Sequence, residues 1–174
     1  MKTEKLPLEA SFNPHQIMII MGFSLIPLMI VIELMDNNLN WKGYLIFILS
    51  LLLFFYLISL AFSRKGLLKK GNKLYRAKFF NGITLYSNKV SLNDRPVVSI
   101  LKFKKRQKYA FFSVAKPDLD KSFNSFEIFV LNDRHIKRDS VMYFKNEENS
   151  QRAIEFLTTQ FPLRHEVFSP NFAR

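Results

Sequence analysis

Apolar residues fall in two long runs near the start of the chain and in short alternating series after them. The second run, Tyr44 to Phe62, has no charged residue, and Leu, Ile and Phe fill fourteen of its nineteen positions. As a helix it would span roughly 28 Å, close to the ~30 Å hydrocarbon core of a bilayer. Those fourteen side chains favour insertion by roughly 4 to 8 kcal/mol in sum. The first run, Ile17 to Met35, is as long; it carries Pro27, which predicts a mild kink, and Glu33 near its end. The pattern predicts two membrane spans, joined by a polar turn at 36–43 into a helical hairpin over residues 17–63. Trp41 and Tyr44 stand where aromatic rings anchor a span at the interface.

Residues 1–16 are mixed in charge and contain Pro7 and Pro14, so an unstructured or interfacial head is expected there. A cleaved signal would need a basic start, an apolar stretch of about 7–15 residues and a small-residue cleavage site. The head is nearly neutral, the run is longer and no such site follows, which predicts a retained span.

From Lys73 onward the period shortens to two. Leu74–Phe80 and Ile83–Leu92 flank Asn81-Gly82, a pair that supplies the positive φ angles of a type I′ turn and so predicts a hairpin. Asn93 to Pro96 reads as a second turn. Val97–Phe103 and Tyr109–Ala115 are predicted to be a strand pair with Lys104 to Lys108 at its tip. Phe123–Leu131 and Ser140–Phe144 are further strands, with 132–139 a polar connection that has room for a short edge strand. The end is helical: Asn146 is placed to cap, Glu147 and Glu148 suit the first turn, and Ala153, Ile154, Leu157 and Phe161 form one apolar stripe that Pro162 ends. The fold class expected is α+β: a transmembrane hairpin, then an antiparallel sheet or partial barrel of six to seven strands in residues 64–162, closed by that helix. Residues 163–174 are expected to be a tail.

Charge then orients this arrangement. The chain has 26 Lys/Arg against 14 Asp/Glu, net +12. Residues 64–174 hold 23 and 10, net +13, and residues 1–63 hold 3 and 4, net −1. Seven cations and no acid lie between Ser63 and Phe80, whereas the connecting turn has only Lys42. The positive-inside rule puts both termini in the cytoplasm and the turn outside. The chain has no cysteine, which excludes disulfides, thiolate nucleophiles and Cys-ligated metals.

The hairpin at 17–62, the basic run after it, the strand series from Leu74 to Phe144 and the closing helix near 147–161 together resemble the small bacterial membrane proteins in which a two-span hairpin precedes a pleckstrin-homology-like domain. The resemblance covers about nine-tenths of the chain and rests on element order, with no motif that assigns a functional residue. It implies a multi-pass protein of the bacterial inner membrane. Similar folds bind phosphoinositides or peptides, but fold alone names no ligand.

Catalytic patterns are not found. The five glycines are scattered, with no phosphate-binding loop, and His15, His135 and His165 lie in three unrelated regions with no second ligand at metal spacing. Asp118 and Asp120 read as turn chemistry beside Pro117, and His165-Glu166 as solvated surface. No catalytic residue, metal or cofactor is expected, and the chain reads as non-enzymatic. Two cationic clusters remain. One runs from Arg64 to Lys78 and includes Lys69 and Lys70; specifying topology is its first role, and contact with anionic head groups its second. The other, Lys102, Lys104, Lys105, Arg106 and Lys108 with aromatics interleaved, could track a phosphate backbone, but alternation explains the rings as a buried strand face. Glu33 is an intramembrane polar site if it faces a partner, and an interfacial side chain if it reaches the head groups beside Asp36. The function expected is a membrane-anchored accessory or scaffold protein. Its basic domain would dock a membrane-protein partner or anionic lipid. A tethered nucleic-acid binder, and an accessory subunit of a transporter or enzyme complex, are the alternatives.

Overall fold

The computed structural model describes residues 3–35, 39–107 and 121–170. In chain order the elements are β1 (Thr3–Ala10), α1 (Pro14–Met35), α2 (Trp41–Ala61), β2 (Arg64–Lys70), β3 (Lys73–Phe80), β4 (Ile83–Val90), β5 (Val97–Gln107), β6 (Lys121–Leu131), β7 (Arg138–Phe144), α3 (Glu147–Gln160) and β8 (Arg164–His165). They divide into two compact units. One holds the described residues up to Glu9, Gly66–Ala77 and those from Ser87 onward; the other holds Ala10–Lys65 and Lys78–Tyr86.

In the second unit α1 and α2 pack on each other as a hairpin. Both are long and apolar enough to cross a membrane, with lengths of about 33 and 32 Å at 1.5 Å per residue. A core helix of this composition would be mostly buried; here only 17% and 11% of the most apolar stretches are. Most of what is covered lies along one seam, with Leu28, Leu51, Ile58, Ser59 and Leu60 half-buried beside it. On α1 the seam is Ile17, Ile20, Ser24, Pro27, Val31 and Leu34; on α2 it is Gly43, Phe47, Ser50, Phe54, Leu57 and Ala61. These positions alternate steps of three and four, the spacing that keeps one stripe of a helix facing its neighbour. Small residues at the middle, Ser24 and Ser50, suit close approach of helices in lipid. Asn13 starts α1 by a reciprocal cap: its Oδ1 accepts from the Gln16 N–H at 2.8 Å and its own N–H donates to Gln16 Oε1 at 3.0 Å. Pro14 occupies the first helical position, where its missing N–H costs nothing. Asn40 caps α2 through Gly43 N–H at 2.9 Å. The Ser11 N–H donates to the Ser63 carbonyl at 2.9 Å, tying together the two links that enter and leave the helices.

Among the described residues the strands form two four-stranded sheets, in the orders β1-β2-β3-β4 and β7-β6-β5-β8, where one sheet or partial barrel of six to seven strands was expected. Segments outside the alternating region make the difference. Residues 3–10, expected to be unstructured or interfacial, are β1, at the edge of its sheet, the position where a strand tolerates a proline such as Pro7. Arg64–Lys70 is β2, and its central Gly66, Leu67 and Leu68 are all buried, so it shows no alternation to read. The expected tail supplies β8, which runs parallel to β5 with Val97 opposite Arg164. The predicted hairpin forms as expected: Asn81 and Gly82 have φ of 46° and 79° between β3 and β4.

Leu8, Leu67, Leu74 and Val90 of the first sheet meet Val98, Ile128, Val130, Val141, Met142 and Phe144 of the second. Ala153, Ile154 and Leu157 of α3 complete this core, as the apolar stripe predicted. A bulge between Ile128 and Phe129 shifts the β6–β7 register by one, so that Val141 and Met142 are buried in succession. Asn146 caps α3 by accepting from the Glu148 N–H at 3.0 Å. Strand β5 is covered on both faces at its start: Val98 faces the main core, while Val97, Leu101 and Phe103 join Phe129, Leu131 and Phe168 in a second cluster. The predicted strand 109–115 lies outside the described residues.

Candidate functional site

The Lys102 to Lys108 cluster was expected at a hairpin tip between strands ending at Phe103 and beginning at Tyr109. Instead β5 continues to Gln107, and residues 102–107 pair antiparallel with Phe126 down to Lys121 of β6. Alternate β5 positions share a face. Along that face Val98 and Ile100 pack in the core, and Lys102 and Lys104 follow as exposed residues where the core ends. The Lys102 ammonium lies 5.3 Å from the centroid of the buried Phe126 ring, its register partner, an arrangement worth about 0.5–1 kcal/mol at an exposed site. Lys105 and Arg106 pair with Phe123 and Ser122, and Lys108 lies outside the described residues.

Lys69 and Lys70 end β2 and occupy a different place. Lys69 Nζ donates to Gln160 Oε1 at 2.9 Å and stands 5.5 Å from the Phe161 ring. That puts it at the C-terminal end of α3. Lys70 lies 5.6 Å over Tyr75. Lys102, by contrast, is linked through Phe126 to Phe144, three residues before α3 begins. The two groups therefore belong to opposite ends of a helix about 21 Å long, and the fold does not gather them into one site. Glu33 is exposed in the last turn of α1.

The fold builds contacts that sequence spacing did not show. His135, with φ of 55° in the β6–β7 connection, is buried. Its Nδ1 accepts from the Ser169 N–H at 3.0 Å, which leaves Nε2 to donate to Glu166 Oε2 at 3.2 Å. Phe168 stacks on the ring at 6.2 Å. His135 thus fastens the segment after α3 to the domain, and Glu166, expected to be solvated surface, is its partner. Because 31 residues separate the two, no local spacing could reveal the pair. Asn132 shapes the same connection: its Oδ1 accepts from the N–H groups of Ile136 and Lys137, both at 2.9 Å.

An open cleft of about 610 Å³ lies between the β4–β5 turn and this connection, lined by Leu92, Asp94, Arg95, Pro96, Asn132, Asp133, Arg134, Pro162 and Leu163. Two of its four charged side chains are in ion pairs: Arg95 Nε meets Asp139 Oδ2 at 2.9 Å, and Asp133 Oδ1 accepts from Arg164 at 2.7 Å. Among the described residues, no group of three His, Asp or Glu stands close enough to hold a metal ion. Lys102 and Lys104 thus place two exposed positive charges where the core face of β5 ends. No known protein family matches the chain, and neither do any curated protein or solved structure.

Proposed function

We propose that this is a membrane-anchored, non-enzymatic accessory or scaffold protein. In this reading α1 and α2 cross the bilayer as a hairpin, and the basic sheet domain docks a protein partner or anionic lipid head groups on the cytoplasmic side of a bacterial inner membrane. One observation carries it: strand β1 before the hairpin and strand β2 after it fold into the same unit, with Leu8 of β1 buried in the shared core. This supports a topology with both flanks of the hairpin on one side of the membrane. The net +13 of residues 64–174 supports the inner side. Removal of α1 as a signal would also strip β1 from its sheet, which argues for a retained span. Two sheets with one helix after them support the pleckstrin-homology-like reading of the domain.

Docking is tested on the full chain in neutral-lipid nanodiscs, titrated against vesicles containing phosphatidylglycerol and, separately, against solubilised native membrane proteins. The substitutions Lys102→Glu and Lys104→Glu together should weaken binding at least about tenfold, since each cation near an anionic surface contributes about 1 kcal/mol. The loss should shrink as salt rises. Unchanged binding in both titrations removes β5 from the docking surface.

A further inference from the structure

Resting on the membrane-spanning reading, we infer that the tip of the β3–β4 hairpin is a third membrane contact, seated in the head-group layer of the leaflet beside the helix ends. Residues Lys78–Tyr86 belong to the same compact unit as α1 and α2. Within that unit the Lys78 ammonium lies 4.7 Å from the centroid of the Phe12 ring, two residues before α1 begins. The Ser11–Ser63 hydrogen bond brings the other helix end to the same level, where Phe62 is 54% exposed. Beyond Lys78 the hairpin runs uncharged from Phe79 to Asn88, until Lys89.

Ile83 at this tip and Tyr86, three residues further along β4 and on its other face, are 65% and 59% exposed. In water a strand hairpin with such a tip invites edge pairing and aggregation. At a bilayer surface the same features fit together. Apolar and aromatic side chains enter the boundary region, and the flanking lysine ammonium groups meet lipid phosphates. The partner is thus the anionic lipid surface itself, continuous with the membrane that the helices cross.

Depth-dependent fluorescence tests this on the full chain reconstituted in vesicles of phosphatidylcholine and phosphatidylglycerol with brominated acyl chains. Trp41→Phe removes the single native tryptophan. Into that background go Ile83→Trp, Tyr86→Trp, Leu52→Trp in the middle of α2 and Ile136→Trp on the β6–β7 connection. The expected result is blue-shifted, quenched emission for Leu52→Trp and for at least one of Ile83→Trp and Tyr86→Trp, with Ile136→Trp unaffected. Quenching of Leu52→Trp with neither tip probe quenched overturns the inference and leaves the spanning helices standing. If Leu52→Trp escapes quenching, the spanning reading fails and the inference falls with it.

Discussion

At Gly66 an added Cβ would lie 2.9 Å from both the carbonyl carbon of Leu6 and the Cα of Pro7. These are backbone atoms of the neighbouring strand, so relief requires β1 and β2 to separate. Gly66→Ala should therefore cost about 1–3 kcal/mol, as other forced overpacking does. Melting of the full chain in detergent should fall by roughly 2–4 °C per kcal/mol. Gly22→Ala is the control: nothing lies within 4 Å of its Cβ position, and it should cause no loss. An unchanged melting temperature for Gly66→Ala would mean that β1 does not pass this close. In sequence Gly66 is one of five scattered glycines, because its significance depends on a strand formed by residues 3–10. The contacts of His135 with Glu166 and Ser169 were hidden for the same reason: the partner arrives from far along the chain.

Elements whose signal is local were legible. Asn146 with Glu147 and Glu148 marked the start of α3, and the cap is present. Asn146→Ala leaves the Glu148 N–H without its side-chain acceptor, and should cost about 1 kcal/mol. Faster hydrogen exchange at Glu148 is the direct measurement, with protection at Leu157 little changed. Equal exchange at Glu148 in both proteins would show that water replaces the cap without cost. Asn81-Gly82 was equally clear, since only certain residues tolerate positive φ. Strand β2 was not, because burial of Gly66, Leu67 and Leu68 together removes the period of two and leaves a run that reads as a charge signal. The extent of β5 was missed in the opposite way: Lys104 to Gln107 carry turn-like polarity, but their backbone groups pair with β6 for four more residues.

At the scale of the whole molecule, the helical hairpin is an insertion between two neighbouring strands. The links that enter and leave it, 11–13 and 62–63, are three and two residues long. A chain of three residues reaches about 10 Å at most, far less than a bilayer. Strand pairing of β1 with β2 is therefore compatible with an even number of crossings and incompatible with one. The chain has no cysteine, so single cysteines report position without background. Thr3→Cys samples β1, Lys42→Cys the start of α2, and Asn88→Cys strand β4; all three native residues are exposed. With a membrane-impermeant maleimide, Lys42→Cys should react in intact cells, while Thr3→Cys and Asn88→Cys should react only after permeabilisation. Reaction of Thr3→Cys and Asn88→Cys from opposite sides would separate β1 from its sheet and dissolve the fold as described. Reaction of both from outside, with Lys42→Cys protected, would keep the hairpin but turn the basic domain outward. The cytoplasmic partners proposed for Lys102 and Lys104 would then be out of reach.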